Sequence, residues 1–348
     1  MPKDETRKVD RDFLELFCKK IPFSENITKY EDDVVFDMYD HNCFILERNV
    51  TLRELFDAQA YQHKKKCDFL KLESFHKLKK DLVKRMGLEE NVYLTMLFKG
   101  KKESFKINEK IVIKNISLKE LDEIEIKHYG KAFGEGFIRR RDRAYVRERK
   151  RNQDFNIYGA YLNGKNVGYC YAYTSGAYTC IDSLLVDRHY RHRNIASTLI
   201  RYVIERSDRV MLHADEDDYP KEIYLKYGFR IVDRTYEYFK PLKKINDEIT
   251  VMIDRPMGTW HPEGKNIFYE INYGYVKGLI APDLEEQDVY VLDENKPCKK
   301  AKGRIIAILH RLDDMEDKWV IGSRGHSLED IEKSVEFQEK YHTHITIM

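Results

Sequence analysis

The sequence lacks the features that define several large classes of protein. Its six cysteines are scattered and form no Cys-x-x-Cys pair, so neither a disulfide framework nor a thiolate metal site is expected. No apolar run approaches membrane-spanning length, and the first residues lack the apolar core of a signal peptide. The 62 Lys and Arg residues nearly balance the 60 Asp and Glu residues, leaving a net charge of +2. We therefore expect a cytoplasmic protein of two or three domains, with neither a membrane nor nucleic acid as a partner.

Residues 178–206 have the order of a strand, a basic turn and a helix. Tyr178–Val186 is rich in apolar and β-branched residues and free of glycine and proline, which favours a strand. Apolar residues then recur every four positions from Ile195 to Val203, as on one face of a helix. The turn between them holds three arginines, and a helix N-terminus presents free N–H groups and a positive dipole end. The stretch indicates either a phosphate-binding turn or an ordinary surface loop.

The turn also resembles a known motif. In the GNAT superfamily of N-acetyltransferases, an Arg/Gln-x-x-Gly-x-Gly/Ala turn binds the pyrophosphate of acetyl-CoA, and Arg191, Asn194 and Ala196 stand at the matching positions. Asn194 replaces the usual glycine, and asparagine tolerates left-handed backbone better than most residues. The resemblance implies a mixed α+β fold, with a mixed sheet flanked by helices, over residues 115–243. It also implies acetyl-CoA as the acetyl donor and a small-molecule or peptide amine as the acceptor.

Two further segments lie in the order of the same fold. The Asn163-Gly164 turn between apolar runs predicts a hairpin before the strand. After the next strand, the run KEIYLKYGF at 221–229 resembles the closing helix of the family. The resemblance assigns to Tyr224 the protonation of the departing thiolate, since a phenol of pKa ~10 matches a thiolate of similar basicity. The alternative is a core tyrosine.

The remaining site residues follow from the same resemblance. Strand divergence around Leu185–Asp187 is expected to free a backbone N–H that holds the thioester oxygen. The base that takes the proton of the amine is one of Glu135, Asp182 and Glu216, each also open to a structural role, or a chain of waters. The residues that we expect to contact the coenzyme are Leu185, Val186, Arg191, His192, Arg193, Asn194, Ile195, Ala196, Ser197 and Tyr227.

Residues 1–114 alternate between helical and strand-like segments. Strands are predicted at 33–38 and 43–46, and Thr51 with Glu54 has the spacing of a capping box that opens a helix. The order suggests a degenerate copy of the same fold or an accessory α/β domain. No phosphate-binding turn is present in this half of the sequence, so we do not expect a second active site there.

Residues 244–348 follow a polar linker and resemble a second family. Asn272-Tyr273-Gly274-Tyr275, followed by acidic positions, resembles the signature of class I soluble inorganic pyrophosphatases, which are small OB-type β-barrels. Carboxylate oxygens are ligands that Mg²⁺ prefers, and paired ions can hold pyrophosphate and activate water. The expected metal ligands are Asp283, Glu285, Asp288, Asp314 and Asp317, and the expected phosphate ligands are Arg255, Tyr273 and Lys318.

Three hypotheses follow. The first is an acetyl-CoA-dependent N-acetyltransferase with an appended pyrophosphatase-like domain, which would make the enzyme bifunctional if that domain turns over. The second is a Mg²⁺-dependent hydrolase of pyrophosphate or another phosphoanhydride. The third is a non-catalytic sensor of phosphate-containing ligands. The first is favoured because its motifs span more consecutive elements.

Overall fold

The computed structural model describes residues 2–263 and 266–348, and it forms one large sheet and one small barrel. The helices are α1 Pro2–Glu15, α2 Leu52–Lys64, α3 Lys80–Met86, α4 Leu118–Phe133, α5 Glu135–Arg151, α6 Ile195–Ile204, α7 Pro220–Lys226 and α8 Leu328–Glu339. The strands of the large sheet are β1 Lys19–Pro22, β2 Ile27–Glu31, β3 Phe44–Leu46, β4 Phe69–Ser74, β5 Glu89–Phe98, β6 Ile111–Asn115, β7 Phe155–Leu162, β8 Lys165–Ser175, β9 Tyr178–Val186, β10 Arg209–Asp215 and β11 Phe229–Pro241. The strands of the barrel region are β12 Glu248–Arg255, β13 Asn272–Ile280, β14 Glu286–Val291, β15 Lys300–Arg311, β16 Asp317–Gly322 and β17 His344–Ile347.

The large sheet joins two halves that repeat the same order of elements. The first half runs β1-β2-β3-α2-β4-α3-β5, and the second runs β7-β8-β9-α6-β10-α7-β11. The sheet order is β1-β2-β3-β4-β11-β5-β10-β9-β8-β7-β6. The last strand of each half is therefore inserted into the other half: β11 lies between β4 and β5, and β5 lies between β11 and β10. The predicted boundary at residues 114 and 115 therefore falls inside one continuous sheet. The mixed α+β fold predicted from the sequence is confirmed.

Local sequence signals account for many of these elements. Thr51 and Ser117 each accept a hydrogen bond from the N–H of a glutamate three residues later, and both form complete capping boxes. Asn163 and Gly164 have φ angles of 51° and 78°, as the predicted two-residue hairpin turn requires. The predicted strand at Tyr178–Val186 is confirmed with the same bounds.

In the N-terminal half one prediction fails and one helix was missed. The segment 33–38 is not a strand, because the carboxylate of Asp32 accepts hydrogen bonds from the N–H groups of Val34 (2.7 Å) and Val35 (3.0 Å) and folds the chain into turns. Helix α1 was not predicted. Its apolar residues Val9 and Phe13 pack onto the core of the second half, so the start of the chain covers one face of the sheet.

The C-terminal region contains the predicted small β-barrel. Five strands close in the order β12-β13-β14-β16-β15, with β15 pairing back to β12, and β14 runs parallel to β16. Val251, Val289, Ile305 and Ile321 fill its apolar core, and α8 covers the outside. The barrel is confirmed, and its kinship with pyrophosphatases stays a prediction.

The barrel packs against α2 through charged side chains. Arg53 Nη1 donates to the carbonyl oxygens of Arg311 (2.8 Å) and Asp314 (3.0 Å). His310 lies between Asp57 on α2 (3.0 Å) and Asp317 on β16 (2.8 Å). In the described part of the chain, no helix combines the length and apolar character needed to cross a membrane.

Candidate functional site

A gap opens in the sheet where β9 and β10 separate. The two strands pair in parallel from Tyr178 and Arg209 up to Ile181 and Leu212. Both continue beyond that point, but β10 then pairs only with β5, on its other edge. The edge of β9 from Asp182 onwards therefore faces the gap, three residues earlier than the divergence predicted at Leu185.

A β-bulge lies on β9 at the same place. Tyr171 pairs with Asp182 and Tyr169 pairs with Leu185, so Ser183 and Leu184 together oppose one residue of β8. Ser183 has φ 48°, in the left-handed region. The bulge leaves the extra residue outside the β8–β9 ladder, whereas the edge of β9 that faces the gap is unpaired because β10 has diverged.

Helix α6 begins at the same end of β9 and has an unfilled N-terminus. Asn194 adopts the left-handed conformation (φ 56°, ψ 25°) that the glycine of the motif would adopt, and its side chain makes no capping hydrogen bond. The N–H groups of residues 192–197 have no acceptor among the residues that the structure describes. Arg191 and Arg193 are exposed beside them, and no acidic residue lies in the first turn. This arrangement suits a bound phosphate.

The turn is held in place from both sides. Ser197 is buried, and its hydroxyl donates to the carbonyl oxygen of Lys106 (2.5 Å), which ties α6 to the segment before β6. Asp187 accepts hydrogen bonds from the N–H of His189 (3.0 Å) and from Lys127. Burial opposes the charge, but these hydrogen bonds keep the pKa of Asp187 below its ordinary value. The turn therefore has a fixed shape before any ligand arrives.

Tyr224 on α7 lies next to the gap. Its hydroxyl has no hydrogen-bond partner within the described residues, and its ring packs against the core beneath α6. Burial raises the pKa of Tyr224 to about 12, with further contributions from Asp182 and Asp218. The phenol is thus a proton donor at neutral pH. By contrast, the ring of Tyr227 stacks on Phe105 with centroids 4.7 Å apart, and its contact with a coenzyme stays a prediction.

A cavity of about 410 Å³ lies on the opposite face of the sheet, beneath α1. Asp182 opens into this cavity, and burial raises the pKa of its carboxyl, as does the nearby charge of Asp40. His213 Nε2 lies 2.8 Å from Asp10 on α1 in the same cavity. Burial disfavours a charged imidazole, but Asp10 outweighs it and raises the pKa of His213.

Of the three predicted bases, Asp182 is the one that lines this cavity. Glu135 lies in a separate surface groove between α4 and α5, where its carboxylate is 3.4 Å from Arg139. Glu216 follows β10 and pairs with Arg234 (3.2 Å). The structure brings Asp182 and Tyr224 to the gap and leaves the other two carboxylates outside the cavity.

Several cavity residues were not identified from the sequence. They are Asp10, Asp40, Glu73, His213 and Glu237. The sequence offers a signal for Glu237, which interrupts the aromatic run YEYF, but none for Glu73, which follows Lys71 in the alternating segment FLKLES. Nothing in the sequence places them on the same cavity.

Among the residues that the structure describes, no three of the predicted metal ligands of the barrel bring their carboxylate oxygens within 4.8 Å of one another. Asp314 pairs with Arg311 (3.0 Å), and Asp317 pairs with His310 (2.8 Å). Asp288 accepts hydrogen bonds from Tyr273 and Lys318, and Lys318 also pairs with Glu316. Asp283 accepts a hydrogen bond from the N–H of Glu285. Arg255 pairs with Asp254. Because cations already neutralise most of these carboxylates, the residues present do not fit a Mg²⁺ site.

Comparisons with known proteins agree with the geometry of the second half. Residues 118–229 match the acetyltransferase (GNAT) family. A conserved protein of unknown function from Staphylococcus epidermidis is similar in structure, with TM-score 0.56 and 20% identity over 65% of this chain and 95% of that chain. A GCN5-related N-acetyltransferase from Kribbella flavida has TM-score 0.49 and 10% identity over 69% of this chain and 95% of that chain. No curated protein matches the sequence. Residues 118–229, about a third of the chain, are therefore similar in sequence to the acetyltransferase (GNAT) family.

Proposed function

We propose that this protein transfers an acetyl group from acetyl-CoA to an amine at the gap between β9 and β10. The observation that carries the proposal is the coincidence of three features at one end of β9. The parallel pairing with β10 stops at Ile181, the bulge at Ser183 disturbs the ladder, and α6 begins with free N–H groups. A thioester in the gap and a diphosphate on α6 would satisfy all three.

The residues of the gap supply the chemistry that direct transfer needs. Backbone N–H groups on the edge of β9 that β10 no longer pairs would hold the thioester oxygen as it gains negative charge. The amine nitrogen forms a bond to the carbonyl carbon, and the bond from that carbon to sulfur breaks. Asp182, whose pKa is raised by burial, takes the proton that the amine loses. Tyr224 gives its proton to the leaving thiolate.

The coenzyme contacts predicted from the sequence fit this arrangement in part. The N–H groups of 192–197 and the exposed side chains of Arg191 and Arg193 would hold the diphosphate. Val186 lies at the edge of the gap, whereas Leu185 is buried in the core on the α1 side of the sheet, so its expected contribution is through its backbone.

We further propose that the first half is a copy of the same fold without a working site. The repeated order of elements supports this assignment. At the helix that corresponds to α6, the N-terminus of α2 is already filled by the Thr51–Glu54 capping box, which places a carboxylate where a phosphate would bind. Arg53, on the first turn of α2, is committed to the barrel.

The proposal is tested by coenzyme binding and by turnover. Acetyl-CoA should raise the melting temperature in a concentration-dependent way, and thiol release should require both acetyl-CoA and an amine. Ala196→Glu places a carboxylate at the open N-terminus of α6 and should abolish the thermal shift, whereas Ala301→Ser in the barrel should leave it intact. No shift and no transfer to any acceptor in a broad amine panel would refute the proposal.

Binding or hydrolysis of pyrophosphate by the barrel remains a second hypothesis. Tyr273 and Lys318, two of the predicted phosphate ligands, both donate to Asp288, so a bound phosphate would have to displace that carboxylate. Hydrolysis of pyrophosphate stays a prediction, since the carboxylates of the barrel do not fit a metal ion. Phosphate release from pyrophosphate with and without Mg²⁺, using Asp288→Asn as the control, decides whether the barrel hydrolyses, and calorimetric titration decides whether it binds.

A further inference from the structure

The cavity beside Asp182 extends from the gap into the N-terminal half of the sheet. Its lining runs from Asp182 on β9 across β10 and β5 to Glu237 on β11 and Glu73 on β4. Three strand spacings separate β9 from β11, so the two ends lie on the order of 14 Å apart across the sheet. The cavity is therefore elongated, and it runs from β8 past the reacting group on β9 into the first half.

The far end of the cavity holds more negative charge than the protein neutralises. Glu73 and Glu237 face each other directly in the β4–β11 register, and the carboxylate oxygens of Asp40, Glu73 and Glu237 lie within 4.8 Å of one another. Lys71 Nζ pairs with Glu237 (2.5 Å) and Asp40 (3.4 Å). Glu73 has neither a hydrogen bond nor an ion pair within the described residues. Three carboxylates thus share one ammonium group.

The other charged groups of the cavity do not neutralise this excess of negative charge. Asp10 and His213 neutralise each other. Arg141 is committed to Glu125 (2.8 Å) and Asp142 (3.0 Å) behind the wall. Asp182 has no cation within salt-bridge distance in the part of the chain that the structure describes. Arg11, which lies 4.0 Å from Glu47, is the remaining cation of the lining.

Aromatic side chains line the cavity between and beyond its acidic groups. Tyr93 on β5 lies between Asp182 and Glu237, whereas Phe13, Tyr145, Tyr171 and Tyr173 line the part beyond Asp182, towards β8. Such rings pack against methylene groups and attract alkylammonium ions through their faces. An anionic or a short neutral amine would leave the far carboxylates without a partner, and like charges facing each other across strands are unfavourable.

We propose that the acceptor is a diamine or polyamine that lies along this cavity. One terminal ammonium group binds Asp40, Glu73 and Glu237, the methylene chain passes along Tyr93 on β5, and the other nitrogen reaches the gap. This assignment rests on the proposed acetyl transfer and names its substrate class. The near nitrogen, as the free amine, forms the amide bond, its extra proton goes to Asp182, and the thiolate that leaves takes the proton of Tyr224.

The pKa shifts of the far carboxylates agree with a cationic ligand. Burial raises the pKa of Glu73, and the neighbouring carboxylates Glu237 and Asp40 add to the effect beyond what Lys71 offsets. Burial likewise raises the pKa of Glu237. A second ammonium group in the far end would stabilise both carboxylates in their charged form.

The test compares α,ω-diamines and spermidine with primary alkylamines of the same length. Acetyl transfer is measured at saturating acetyl-CoA in the full-length protein. Diamines should be preferred in kcat/KM, with an optimum at one chain length. Glu237→Gln and Glu73→Gln should each raise the KM for the diamine by about 10- to 100-fold, the range expected for losing a buried hydrogen bond to a charged group. Both variants should leave the KM for acetyl-CoA unchanged.

Controls separate this inference from the proposed transfer. Glu329→Gln removes an exposed carboxylate of α8 and should change nothing. Retention of the acetyl-CoA thermal shift shows that each variant is folded, and Glu73→Gln is the safer variant because it breaks no ion pair. If monoamines serve as well as diamines, or if both variants keep the diamine KM, the acidic end is not a substrate site although the transfer stands. If acetyl-CoA neither binds nor reacts, the proposed function fails, while calorimetric binding of the diamine that Glu73→Gln weakens would still support the cavity assignment.

Discussion

The contact of His310 with α2 predicts that the barrel loses stability as the pH rises above neutral. His310 is buried, with Nδ1 2.8 Å from Asp317 and Nε2 3.0 Å from Asp57. Burial and the adjacent Arg53 oppose a charged imidazole, but the hydrogen bonds to the two carboxylates raise the pKa of His310 to about 9. The folded protein therefore stabilises the charged form of His310.

The sign and size of the effect follow from this shift. A group whose folded pKa lies above its unfolded value stabilises the fold fully below the unfolded pKa, and the stabilisation disappears as the pH rises through the folded pKa. The window here runs from pH 6.5 to about 9. At about 1.4 kcal/mol for each pH unit, the loss of unfolding free energy is at most about 3 kcal/mol.

Tryptophan fluorescence measures this loss in the barrel alone. Both tryptophans of the chain, Trp260 and the buried Trp319, lie in the C-terminal region. Urea unfolding of the wild type and of His310→Gln across this pH range gives the free energy of unfolding of the barrel for each. The difference between the two proteins cancels the titration of other groups, and it should shrink by up to about 3 kcal/mol from pH 6.5 to 9. A difference that stays constant with pH would show that His310 is not charged in the folded protein.

Three further predictions concern the site and its neighbours. In steady-state kinetics, Tyr224→Phe should lower kcat by about 100-fold or more and leave the KM for acetyl-CoA unchanged, because the leaving thiolate loses its proton donor. An unchanged kcat would show that water protonates the thiolate. Thr51→Ala removes the cap of α2 and should lower the free energy of unfolding by about 1 kcal/mol in urea titrations, with Ser327→Ala in α8 as the matched substitution. Asp182→Asn should flatten the acidic limb of the pH–rate profile for acetyl transfer, whereas Glu135→Gln should preserve it, and the reverse result would exchange their roles.

Local signals in the sequence predicted the second half of the sheet well. The bounds of β9, the hairpin turn at Asn163 and the capping box at Ser117 all depend on residues within a few positions of one another. Such patterns can be predicted from the sequence because the residues involved determine the local backbone geometry directly. The turn before α6 belongs to the same class, since Asn194 takes the left-handed backbone that the motif requires.

The pairing of strands that are far apart in the chain could not be predicted in the same way. Glu73 and Glu237 lie far apart in the chain but are partners in the β4–β11 register, and no local pattern announces that β11 inserts between β4 and β5. The segment after Asp32 illustrates the opposite failure, because its apolar residues suggest a strand while one carboxylate folds it into turns. Helix α1 was missed because its contacts lie in the other half of the chain.

The insertion of β5 between β10 and β11 has a practical consequence for anyone seeking a minimal active fragment. A polypeptide of residues 115–243 contains every motif of the transferase, yet it would leave the β5-facing edge of β10 unpaired, and β11 would lose both of its neighbours. Exposed strand edges of this kind promote aggregation. It would also lack Tyr93 and Glu73, and with them one wall and the far end of the cavity. Expression trials should therefore keep the first strands of the chain, even though those residues carry no recognisable motif.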